Sequence, residues 1–211
     1  LTSGGAIMNT LMQTLALIEL SITCAVVCVW MLQKFSPRPI PFAAKLFLVL
    51  LIGNVLFWPF GMNLPLVAYV RGVTGDLSIV LTLLLWSSML PTNKPAPIAF
   101  KLVVAIISLC FYPFALGVGM VDPYAWGYGS IPFLLAVLFF ALVCGLANWS
   151  KGVWIIAIAI LAWAAHWHES ANLWDYLLDP FLAIWALLAL IGMLYRRRRD
   201  KARSGYLFRP G

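Results

Sequence analysis

Residues 177–199 read LLDPFLAIWALLALIGMLYRRRR, an apolar run broken only by Asp179-Pro180 that stops abruptly at four arginines. A helix needs about 20 apolar residues to cross a hydrocarbon core. Cations gathered just past the end of such a run stay on the cytoplasmic side. This single stretch therefore predicts a crossing with a basic cytoplasmic tail. Asp179-Pro180 would start the helix, with proline in its first turn, where its missing N–H costs nothing.

Working back along the chain, six further runs have comparable character: residues 11–32, 42–60, 73–90, 102–121, 131–147 and 152–167. The charges between them alternate. One set of gaps holds Lys34, Arg38 and Lys45, then Lys94 and Lys101, then Lys151, then the tail with Lys201, Arg203 and Arg209. The other set holds Arg71 with Asp76, then Asp122, then His166, His168, Glu169, Asp175 and Asp179. Thirteen of the 14 Lys and Arg residues thus fall on one side. Six crossings would place adjacent basic loops on opposite sides, so seven is the expected number. The expected fold is all-α and membrane-integral, one polytopic domain over residues 1–211 built as an N-terminal helix plus three helical hairpins. Its N-terminus lies outside, its C-terminus is cytoplasmic, and its compartment is a bacterial inner membrane.

Composition agrees. The chain is 64% hydrophobic and 10% charged, with a mean hydropathy of +0.98. A soluble domain carries about 25% charged residues, and this inventory could not cover a water-facing surface. The net charge of +7 belongs to loops and tail, where it marks topology and meets anionic lipid, so membrane lipids are the expected partners and nucleic acid is not. Partner membrane subunits are a second expectation. Cys24, Cys28, Cys110 and Cys144 all lie inside apolar runs and read as small interior residues. The absence of Lys and Arg before Lys34 leaves no basic region of a signal peptide. Met8 reads as the natural start, with residues 1–7 vector-derived.

Residues 39–150 resemble themselves. Pro39-Ile40-Pro41-Phe42 before Lys45 returns as Pro95-Ala96-Pro97-Ile98 before Lys101, and Trp58-Pro59-Phe60 returns as Tyr112-Pro113-Phe114. Tandem hairpins in parallel orientation would produce this pattern, as internal repeats do in many transporters. Proline, lysine and aromatics recurring at the same two interfaces would produce it as well.

Candidate chemistry lies inside the first run and on the acidic side. Glu19 sits within the first run, and an intramembrane carboxylate costs a few kcal/mol unless it faces protein or a watery cavity. It reads either as a proton, cation or ligand site, or as a protonated glutamate bonded to a neighbouring helix. Arg71 and Asp76, flanked by Gly72 and Gly75, suggest an ion pair on a folded-back, non-helical loop within reach of Glu19. A phosphate or carboxylate grip is the sharper alternative for Arg71. Asp76 also suits the N-terminus of the third run. Asp175 and Asp179 are four apart, hence on one face if helical, and Asp122 precedes Pro123. His166-Trp167-His168-Glu169 is a weak metal candidate. On a helix its imidazoles diverge, and zinc wants three or four ligands.

No catalytic residue is identified and no cofactor is implied. Phosphate-cradling glycine loops, nucleophile elbows, paired haem histidines and a retinal-type lysine are absent from the sequence. The expected function is transport or binding of a small polar or anionic ligand in an outward cavity, with Glu19, Arg71, Asp76, Asp122, Asp175 and Asp179 as candidate contacts. An enzyme or enzyme subunit acting on a lipid or lipid-linked substrate at the outer leaflet is the alternative. A non-catalytic subunit of a larger membrane complex is the third.

Overall fold

The computed structural model describes residues 2–91 and 94–207. Thr92, Asn93 and residues 208–211 lie outside the described residues, and with them Arg209; so does Leu1 of the stretch read as vector-derived. Nine α-helices and no strand occur among the described residues. They are α1 (Thr2–Phe35), α2 (Phe42–Phe57), α3 (Leu66–Thr74), α4 (Ile79–Ser87), α5 (Ile98–Ala115), α6 (Ile131–Leu146), α7 (Ser150–Ala164), α8 (Leu173–Leu177) and α9 (Pro180–Leu207). A 3-10 turn, Tyr124–Gly127, precedes α6. Among the described residues, three stretches are long and apolar enough to cross a membrane: Met12–Phe35, Ile98–Ala115 and Pro180–Lys201. The apolar helices Phe42–Phe57, Ile131–Leu146 and Ser150–Ala164 are shorter.

Local chemistry explains the ends. Trp58 is extended and precedes Pro59, a position where the α region is disfavoured, so α2 stops at Phe57. Pro180 is the first residue of α9, as its missing N–H allows. The third apolar run is not one helix. Gly75 takes φ +69° and ends α3, and α4 restarts only after Ser78, whose side chain accepts the Leu81 N–H. Arg71 consequently lies in the last turn of α3, not on the non-helical loop expected for it. Leu66, Val67, Ala68, Tyr69 and Val70 supply a helical turn anchored by buried Val67.

The chain forms two compact units. The first comprises Leu1–Pro95 and Tyr124–Asp179, the second Ala96–Pro123 and Pro180–Gly211. In the first unit α2 packs on α1 through small residues, with Ser21 Oγ donating to the Gly53 carbonyl and Ala25, Val29 and Val49 buried around it. Small residues let helices approach closely where the surrounding solvent gives no hydrophobic incentive to associate. Helices α4 and α6 both pack on α7, and α8 packs on α4 and α7. In the second unit α5 packs against α9, and the Lys101 ammonium stands 5.5 Å from the Trp185 ring centroid. The repeated motif sits on unlike backbone: Pro113 lies inside α5, whereas Pro59 lies beyond the end of α2.

Candidate functional site

Glu19 is the centre of the first unit's polar interior. It lies on α1 with 8% of its surface exposed. Its partners come from the segment after α7. There Ala165 and His166 end the helix in a Schellman turn, with Trp167 N–H donating to the Ala162 carbonyl and His166 N–H to that of Trp163. His166 occupies the left-handed position, φ +51°, which usually favours glycine. The reversal sends the next two side chains back to α1. Trp167 Nε1 donates to Glu19 Oε2 at 2.6 Å, and His168 Nε2 faces the same oxygen at 3.3 Å.

His168 is buried and stacks on Tyr176, ring centroids 4.9 Å apart. The Tyr176 hydroxyl accepts the His168 N–H and donates to the Ser170 carbonyl, each at 3.0 Å. Burial raises the Tyr176 phenol above its ordinary value. Among the described residues His168 Nδ1 is buried without a hydrogen-bond partner, and Nε2 is the ring nitrogen that faces Glu19.

Two cavities meet at this contact. A polar one of about 680 Å³ is lined by Gln13, Arg71, His166, His168 and Glu169 among others. An apolar one of about 460 Å³ lies between α1, α4 and α7, with Glu19, Trp86 and Trp167 in its wall. Ala165 lines both. The Glu19–His168 pair thus joins the wall of one to the wall of the other.

Beside the polar cavity, Arg71 holds Asp76 through both carboxylate oxygens, Nε to Oδ1 at 2.6 Å and Nη2 to Oδ2 at 2.8 Å. Their side chains are 18% and 23% exposed. Nη2 also lies 3.3 Å from Glu169, which is 62% exposed. The Asp76 hydrogen bond, foremost, holds the guanidinium above its ordinary pKa. Asp76 is therefore engaged by Arg71, while the N-terminus of α4 is served from elsewhere. Asp179, buried, accepts the Ser78 N–H at 2.8 Å.

Asp175 and Asp179 do not share a helical face. Helix α8 ends at Leu177, Leu178 is extended, and Asp179 precedes Pro180, where helical backbone is disfavoured. Asp175 instead accepts hydroxyl protons from Tyr124, at 2.9 Å, and Ser170. Asn172 closes this corner by capping α8 and donating to the Tyr124 carbonyl. A Cβ at Gly127 would overlap the Asn172 side chain, so only glycine fits there. Asp122 is exposed and belongs to the second unit.

No protein-family model, curated protein or solved structure matches this chain.

The arrangement must be read from its own chemistry. Among the described residues, no group of three or more His, Cys, Asp or Glu side chains is placed to hold a metal ion. His166 is exposed while His168 is turned inward, so the two imidazoles serve different surroundings. The structure gathers Glu19, Arg71, Asp76, His168 and Glu169 around the polar cavity and its border. It gives Asp175 and Asp179 separate duties in holding loops and a helix start. Trp167, Tyr176, Tyr124, Ser170 and Asn172 were not singled out by sequence as contacts. The only available signal for the first was that a buried Glu19 required some donor.

Proposed function

We propose that the chain is a small polytopic protein of a bacterial inner membrane, crossing seven times with its N-terminus outside and its C-terminus cytoplasmic. Its polar cavity opens to the outer face and binds or carries a small polar ligand. The observation that carries this reading is the cavity of about 680 Å³ bordered by the buried Glu19–His168 contact. A carboxylate and an imidazole at that border offer a polar ligand hydrogen-bonding groups. Arg71 has Nε and Nη2 committed to Asp76 and Glu169, so Nη1 is the nitrogen left to meet an anionic ligand. The short apolar helices cross where the bilayer thins locally or where neighbouring helices shield their ends. Lipid covers the exposed apolar faces, and partner subunits are accommodated there too.

An enzyme acting on a lipid-linked substrate is the second reading. One observation favours it: Glu19 also lines the apolar cavity, where an acyl chain would bring a substrate to a general acid or base.

Cysteine labelling tests the first reading. In a background without the native cysteines, Gln13→Cys and Glu169→Cys should react with an impermeant maleimide from the outer face, and Lys151→Cys only from the cytoplasm. Labelling of Glu169→Cys and Lys151→Cys from the same side would refute the topology. Labelling of Glu169→Cys with Gln13→Cys unreactive from the outer face would refute an outward-open cavity.

A further inference from the structure

Arg71 lines the polar cavity with one nitrogen to spare. Its Nε and Nη2 bond Asp76, and Nη2 also lies 3.3 Å from Glu169. Among the described residues no group accepts a hydrogen bond from Nη1. Nη1 and Nη2 share the end of the guanidinium, so an anion bound at Nη1 stands beside the Glu169 carboxylate. An anion alone therefore gains a charge-assisted bond but meets a like charge at the next position. A cation alone finds Glu169 but stands beside the guanidinium. A ligand carrying both charges side by side escapes both conflicts, its carboxylate on Nη1 and its ammonium on Glu169.

The rest of the wall narrows the ligand further. Gln13 is exposed and makes no hydrogen bond among the described residues, so its amide is available to the second carboxylate oxygen. Met12, Ala16 and Ala165 add apolar surface, which suits an aliphatic side chain. The guanidinium and the Glu169 carboxylate are immediate neighbours, 3.3 Å apart. An α-amino acid matches that arrangement because one carbon bears both of its charges. A peptide, with its end charges many bonds apart, does not. At about 680 Å³ the cavity lies in the usual range for small-ligand sites and leaves room for bridging water.

We infer that the polar cavity binds an α-amino acid with an aliphatic side chain, its carboxylate on Arg71 Nη1 and its ammonium on Glu169. The inference rests on the ligand-binding reading of this cavity given above and adds the ligand's charge pattern. A simple organic anion is the competing occupant.

Equilibrium dialysis of the full chain in a non-ionic detergent, with L-leucine as probe, decides between them. Isocaproate is leucine without its amino group, and isoamylamine is leucine without its carboxylate. The expected result is one saturable site for leucine. Isoamylamine forfeits the charge-assisted bond to Arg71 and should bind at least about tenfold more weakly. Isocaproate forfeits an ion pair with a mostly solvated partner and should bind at least about twofold more weakly. Glu169→Gln, at an exposed position that does not endanger the fold, should weaken leucine about two- to fivefold and leave isocaproate no weaker. Saturating leucine should slow maleimide labelling of Gln13→Cys in detergent, which places the site in this cavity. No saturable leucine site, isocaproate or isoamylamine binding as tightly as leucine, leucine binding unchanged in Glu169→Gln, or Gln13→Cys labelling unaffected by leucine would each overturn the inference. Leucine binding by a protein whose Gln13→Cys form stays unlabelled from the outer face in membranes would uphold this inference and sink the outward opening; outer-face labelling with no leucine site would do the reverse.

Discussion

Arg71→Ala probes the first unit most directly. The substitution removes both hydrogen bonds to Asp76 and the approach to Glu169, leaving two carboxylates without their shared cation. Breaking a fully buried pair costs about 3–5 kcal/mol, whereas exposed pairs are worth about 0.2–1 kcal/mol. With the Arg71 and Asp76 side chains 18% and 23% exposed, the pair lies between these limits. The Glu169 contact adds little, because that side chain is mostly in solvent. A loss of about 2 kcal/mol follows, or a fall in melting temperature of roughly 4–8 °C for a chain of this size. Asp76→Asn should cost less, since Arg71 retains Glu169 nearby and the amide oxygen still accepts one bond. Thermal unfolding in detergent, followed by near-ultraviolet circular dichroism at one fixed heating rate, measures the order. Lys45→Ala is the control and should melt with the parent. If Arg71→Ala also melts within about 1 °C of the parent, against the 4–8 °C expected, the ion pair contributes nothing measurable. The reasoning from its burial would then be wrong.

Three further outcomes are expected. His166→Gly relieves a left-handed residue at the end of α7 and should raise stability by about 0.5–1 kcal/mol, seen as a higher melting temperature. Gly127→Ala forces the Asn172 side chain aside and should destabilise by about 1–3 kcal/mol, with Asn172→Ala partly rescuing it in a double-mutant comparison. Burial first, then its bond to Asp175, raises the Tyr124 phenol above the usual tyrosine value. The fold then holds that proton more tightly than the unfolded chain does. Its stabilising contribution is complete below about pH 10 and is lost as pH rises through the raised value. Phenolate absorbance should show late-titrating tyrosines whose number falls by one in Tyr124→Phe.

The helical character and most helix positions were legible because they depend on run length and on local stops. Proline after Trp58, proline at the head of α9 and the arginines after Tyr195 each act within a few residues. The glycines around Arg71 and Asp76 suggested a fold-back there, but that Arg71 itself is helical and α4 restarts only after Ser78 was not legible. Glu19 and the Arg71–Asp76 pair stood out because a charge in an apolar setting needs a reason. Which partners meet that need was not legible. Trp167 and His168 lie 148 and 149 residues from Glu19, and no spacing rule links them. The same holds for Asp179, whose partner Ser78 is 101 residues away and whose apparent pairing with Asp175 assumed a helix that stops at Leu177.

The distance between Glu19 and its donors also bears on how the chain is made. For a protein inserted as it is synthesised, α1 enters the bilayer long before Trp167 and His168 exist. At about 5–20 residues per second, the 148 residues to Trp167 take roughly 7–30 s. Throughout that interval Glu19 has neither donor, and α1 must remain inserted on its own apolarity, a mean hydropathy of 2.3 over an 18-residue window within residues 12–35. Ile18→Ser or Leu15→Ser, either of which lowers that apolarity beside the carboxylate, should reduce the amount of protein that reaches the membrane. Molecules that do arrive should melt much closer to the parent than that loss of yield would suggest.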